Sequence, residues 1–136
     1  MRRALARREN GSYKHAVEVR DHSVTVDEPE DSGGADSGPD PQEMLAVSLA
    51  SCVAITVEMY AKRKGWEIGD VQCEVGYEPA QRGSPTKFQL ILRLPKELPD
   101  EQRERLMQIA AKCPVHRVLE SEAMFSERVE RVSLAH

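Results

Sequence analysis

The chain has 136 residues, 40% of them apolar and 31% charged, which suits one soluble domain with a substantial core. A net charge of −4 argues against bulk electrostatic binding to nucleic acid or an anionic membrane. Three cysteines, an odd number with no secretory signal ahead of them, argue against a disulfide framework and for a reducing cytoplasm.

The N-terminal "MRRALARR" carries four arginines and no apolar stretch follows it, so it reads as a solvated arm or first strand and not as a signal peptide. Asn10-Gly11 predicts a hairpin turn, and the alternation of Tyr13, His15, Val17 and Val19 predicts the strand after it. A second turn at Arg20-Asp21 leads to Val24 and Val26 in another strand. The acidic, Gly/Pro/Ser-rich stretch 27–40 reads as a long loop inside one domain spanning 1–136, because the segment before it is too small to fold alone.

A helix follows with well-marked ends. Asp40 suits the N-cap, Pro41 the first helical position and Glu43 the third, where its side chain can close a capping box. Lys62, Arg63 and Lys64 favour the negative end of the helix dipole, and Gly65 supplies the stop. No charge intervenes from Met44 to Val57, a run too short and too well capped to predict a membrane span. A helix apolar all round is expected to be buried all round, by sheet on one side and by something else, a partner subunit being one candidate, on the other.

Two alternating strands come next, with Val71, Cys73, Val75 and Tyr77 on one face and Phe88, Leu90, Leu92 and Leu94 on the other strand's face. Pro99-Asp100 opens an amphipathic helix with Leu106, Met107, Ile109 and Ala110 inward. Cys113-Pro114 breaks it, because proline disfavours helical geometry in the residue before it. A short helix from Pro114 to about Glu122 and a strand over "SERVERVSL" (126–134) close the chain. Strands, long helix, strands, helices, strand make an α+β domain with an antiparallel sheet around the central helix.

Each cysteine has its own setting. Cys73 is in phase with Val71, Val75 and Tyr77, as a core thiol is. Cys113 falls at the N-cap of a helix whose first residue is Pro114, where free N–H groups and the dipole favour a thiolate and predict a lowered pKa. Cys52 lies among Leu45, Leu49, Thr56 and Met59, so local physics reads it as core, and a chemical role would require a cation brought from elsewhere. Both readings of Cys52 stay open at this level. The four histidines form no metal spacing with one another or with the cysteines, so no metal or other cofactor is expected.

Taken together, "SGGADSGPDPQEMLAVSLASC" (32–52) and "CPVHRVL" (113–119) resemble the OsmC/Ohr family of osmotically induced and organic-hydroperoxide-resistance proteins. "DEP" (27–29) adds to the likeness. The resemblance implies an intertwined homodimer with two sites at the subunit interface. It also implies an organic hydroperoxide reductase in which Cys52 is the peroxidatic thiolate and Cys113 resolves it as a disulfide, which an external dithiol then reduces. An arginine, Arg8 or Arg20, would activate Cys52. The glutamate that orients this arginine in the family is replaced here by Gln42, an amide that cannot hold it by an ion pair. A redox sensor, or a non-enzymatic dimer binding an apolar ligand with structural cysteines, are the alternatives.

Overall fold

The computed structural model describes residues 1–132. Strands β1 (Leu5–Arg8), β2 (His15–Val19) and β3 (His22–Val26) form an antiparallel sheet in that order. Arg20 takes the left-handed conformation, φ 54°, in the tight turn that lets Val19 face His22. Asn10 and Gly11 are both left-handed as the turn reading requires, but the β1–β2 connection is wider than two residues: Arg8 faces His15, and Glu9 N–H donates to the Lys14 carbonyl at 2.9 Å.

The 27–40 loop is ordered around one carboxylate. Asp27 is 1% exposed, and it accepts hydrogen bonds from the Ser37 hydroxyl (2.6 Å) and from the N–H groups of Glu28 (2.8 Å), Ser37 (3.1 Å) and Ala35 (3.2 Å). Those donors, the Ser37 hydroxyl first, hold its pKa down at about 2. The backbone closes in tightly here, since a Cβ on Gly34 would sit 1.9 Å from the Glu28 carbonyl oxygen.

The loop delivers the chain to α1 (Pro41–Lys64), whose ends match the sequence reading. Asp40 Oδ1 accepts from Glu43 N–H at 2.7 Å, Glu43 Oε1 accepts from Asp40 N–H at 2.9 Å, and left-handed Gly65 ends the helix. By length and composition α1 could cross a membrane, yet it packs on the hairpin β4 (Gln72–Glu78) and β5 (Lys87–Arg93) and on α2 (Asp100–Ala110) and α3 (Pro114–Glu120). Leu49, Val53, Val57, Tyr60 and Ala61 of α1 join Leu106, Ala110 and Cys113 in one core. Cys73 and Val75 of β4, with Leu92, Leu90 and Phe88 of β5, close it from the sheet side.

Three expectations are corrected. The helix is not buried all round within this chain: Val47, Ile55 and Met59 are 48%, 51% and 66% exposed, because the protomer supplies a cover for only one face. Met107 is half exposed, being one residue and so about 100° round the helix from buried Leu106. No strand forms over the described part of 126–134, where 126–132 is exposed with no neighbour to pair with, and Ser133 and Leu134 lie outside the described residues. The α+β class with antiparallel sheets stands, as two separate sheets of three and two strands.

Candidate active site

Cys52 sits at the middle of α1, one turn beyond buried Leu49, and is partly exposed. Cys113 is the N-cap of α3, fully buried, with Pro114 fixing the first helical residue behind it. Its Sγ accepts from the His116 N–H at 3.3 Å. The contact between α1 and α3 makes Cys52 and Cys113 neighbours, although the whole β4–β5 hairpin and α2 separate them in sequence. Both are free thiols.

The low pKa expected of Cys113 is not found. Burial pushes its thiol up first, and the hydrogen-bonding side chain and charge of Cys52 push it further; the N–H groups of His116 and Val115 pull the other way and do not prevail. The cap bond is present, but one 3.3 Å N–H···S contact does not offset the loss of water around a sulfur with no exposed surface. Charge on Cys52 thus opposes ionisation of Cys113, which burial holds neutral. Cys73 is half-buried on β4 opposite Leu92, and burial raises its pKa too, as for an inert core thiol.

The other candidates are placed less directly. Arg8 Nε and Nη2 donate to the carbonyls of Ser12 (2.7 Å) and Gly11 (2.6 Å), so its guanidinium closes the β1–β2 turn. Arg20 lies exposed in the β2–β3 turn. Among the described residues, no hydrogen bond or ion pair links either arginine to Cys52. Gln42 is exposed in the first turn of α1, and Glu43 beside it is occupied by the capping box. No group of three His, Cys, Asp or Glu among the described residues is placed to hold a metal ion.

Two features were not foreseen. His116 Nδ1 lies 2.8 Å from Glu120 Oε1, which steadies α3 one turn past Cys113; the i,i+4 spacing was the available signal. A pocket of about 310 Å3 opens beside this pair, floored by Leu49, Phe88, Leu90 and Leu119. A larger apolar cleft of about 580 Å3 lies under the β1–β3 sheet, lined by Tyr13, Val17, Val24, Val26 and Met44. Met44 is two helical turns, about 12 Å, from Cys52 along α1.

Comparison with known proteins agrees with this fold. Residues 33–127 match the family model for OsmC-like protein. No curated protein sequence matches. Among solved structures, the chain superposes with a TM-score of 0.73 on a Psychrobacter arcticus 273-4 protein assigned to the osmotic stress induced and detoxification response (21% identity, 87% of this chain and 88% of that one). It superposes at 0.64 on the organic hydroperoxide resistance protein OsmC of Legionella pneumophila (20% identity, 88% of each chain). The value is 0.59 for the organic hydroperoxide resistance protein OhrB of Bacillus subtilis (21% identity, 87% and 89%). At these identities the structures speak for the fold, and the family model spans well over half of the sequence: the chain belongs to the OsmC-like protein family.

Proposed function

We propose that this protein is a cysteine-based thiol peroxidase that reduces organic hydroperoxides. The observation that carries the reading is the meeting of partly exposed Cys52 with buried, neutral-held Cys113. The Cys52 thiolate attacks the outer oxygen of the hydroperoxide. The O–O bond breaks, sulfur is oxidised to sulfenic acid, and the alkoxide takes a proton to leave as an alcohol. The Cys113 sulfur then attacks Cys52, water leaves with the Cys113 proton, and an external dithiol reduces the resulting disulfide. Apolar surroundings favour an alkyl or lipid hydroperoxide over hydrogen peroxide.

The test is a thiol titration of the reduced protein before and after one equivalent of cumene hydroperoxide, with peptide mapping. Two thiols per chain are expected to disappear as a Cys52–Cys113 bridge, with Cys73 spared. Survival of all three thiols would turn attention to an apolar ligand in the cleft under the β1–β3 sheet.

The working form in this reading is a homodimer. The uncovered stripe of α1, with Val47, Ile55 and Met59, and the open cleft under the N-terminal sheet are two large apolar surfaces on one small chain. A second copy would cover them and bring an arginine, Arg8 or Arg20, to a Cys52 that has none among the hydrogen bonds of its own chain's described residues. Gln42 would meet that arginine as a neutral amide. Ile55→Asp is expected to convert the dimer to monomer in analytical ultracentrifugation and to lower turnover roughly tenfold or more, since burying an unpaired carboxylate costs several kcal/mol. A dimer that persists unchanged would place the interface elsewhere.

A further inference from the structure

Resting on the peroxidase reading, we propose that the reductant attacks the Cys52 sulfur of the disulfide, with Cys113 as leaving group, so that the covalent enzyme–reductant intermediate sits on Cys52. Thiol–disulfide exchange is an in-line displacement: the incoming thiolate approaches the sulfur along the S–S axis, from the side opposite the one that leaves. For Cys113 that side is the core. It has no exposed surface, its N–H reaches back to the Ala110 carbonyl at 3.4 Å, and it shares the cluster of Leu49, Val53, Leu106 and Ala110. Cys52, by contrast, keeps exposed surface of its own, which leaves an approach to its far side. A hydroperoxide that oxidises Cys52 must use that approach, and a thiolate can follow it.

The leaving group is prepared in two ways. The electron pair released when the S–S bond breaks goes to Cys113 Sγ, to which the His116 N–H, 3.3 Å away, donates a hydrogen bond that stabilises the departing thiolate. Cys52 is by then neutral in its bond to the reductant, so the charge that opposes Cys113 ionisation in the resting protein is gone. The balance is complete. The reductant thiolate bonds to Cys52, Cys113 departs as thiolate and takes up a proton, and the reductant's second thiol displaces Cys52 from the mixed disulfide. Cys113, left beside the mixed disulfide, can also re-attack Cys52. A monothiol therefore equilibrates with the enzyme, whereas a dithiol, with its second sulfur tethered, completes the reduction.

The experiment uses the full chain carrying the disulfide, made in parallel with cumene hydroperoxide and with diamide. The second oxidant separates the question of attack from that of peroxidase activity. A brief pulse of 2-mercaptoethanol is stopped with acid, and pepsin digestion at low pH precedes mass mapping. The expected product carries the mercaptoethanol adduct on the Cys52 peptide and a free thiol at Cys113, with adducts on Cys52 at least tenfold over those on Cys113. An adduct mainly on Cys113, or on neither cysteine, overturns the proposal. If diamide forms the bridge and cumene hydroperoxide does not, the peroxidase reading fails, and the position of the adduct still decides the order of attack.

Discussion

Cys52→Ser is expected to lower hydroperoxide turnover by roughly 10³-fold or more, whereas Cys113→Ser should keep one turnover and stop. The asymmetry follows from where each sulfur sits. Serine at position 52 has no thiolate to offer, and no other cysteine can take its place: Cys113 is sealed in the core, and Cys73 lies on β4 with its thiol pushed up by burial. Serine at position 113 still accepts from the His116 N–H, so α3 keeps its cap and the fold survives, as an unchanged thermal midpoint would confirm. What is lost is the sulfur that closes the disulfide. One equivalent of alcohol per site should therefore appear in a burst, and a dimedone adduct on Cys52 should report the stranded sulfenic acid. Cys73→Ser should stay within about twofold of wild type, since its position opposite Leu92 is a packing position. Full turnover in Cys52→Ser would sink the mechanism.

What could be read in the sequence was what local chemistry determines. The α1 helix showed both ends because caps are local: Asp40, Pro41, Glu43 and Gly65 act within a few residues of themselves. The β4–β5 pair was legible because alternation of Cys73, Val75 and Tyr77 needs only one covered face. Three things were not legible, each for a non-local reason. Cys113 at an N-cap suggested a lowered pKa, but burial by Leu106 and Ala110 outweighs the cap, and those residues reach it through the packing of α1 on α2 and α3. Strand propensity in 126–132 could not by itself produce a strand, since a strand exists only where another pairs with it. Apolar continuity in α1 implied cover on two sides, with a partner subunit one candidate for the second, but the sequence could not say that the face with Val47, Ile55 and Met59 is the one this chain leaves open. The pairing of Cys52 with Cys113 was suggested by family resemblance alone; no spacing rule encodes a contact between the centre of one helix and the cap of another.

Gly34→Ala should destabilise the fold by roughly 2–4 kcal/mol, well beyond an ordinary surface substitution. Gly34 needs no left-handed backbone, so the cost is steric: the new Cβ would sit 1.9 Å from the Glu28 carbonyl oxygen and 2.8 Å from Asp27 Oδ1, both fixed groups at the centre of the loop. Either the backbone opens or Asp27 loses donors. Gly76→Ala is the control, because its nearest neighbours lie at 3.8 Å in ordinary contact, and it should be nearly neutral by chemical denaturation. The same loop sets an acid limit. Asp27 has a folded pKa of about 2 against 3.8 for a free aspartate side chain, so its contribution is fully present above pH 3.8 and is lost as pH falls through 2. Asp27→Asn keeps the shape and removes the charge that the Ser37 hydroxyl and three N–H groups surround. Its thermal midpoint should be lower than wild type at neutral pH and should fall less steeply between pH 4 and pH 2. Identical acid slopes would mean that the loop is held by its glycine close approaches and not by the carboxylate. In that case Gly34→Ala alone would loosen the segment that carries Asp40 to the start of α1, and with it the entry to the helix that holds Cys52.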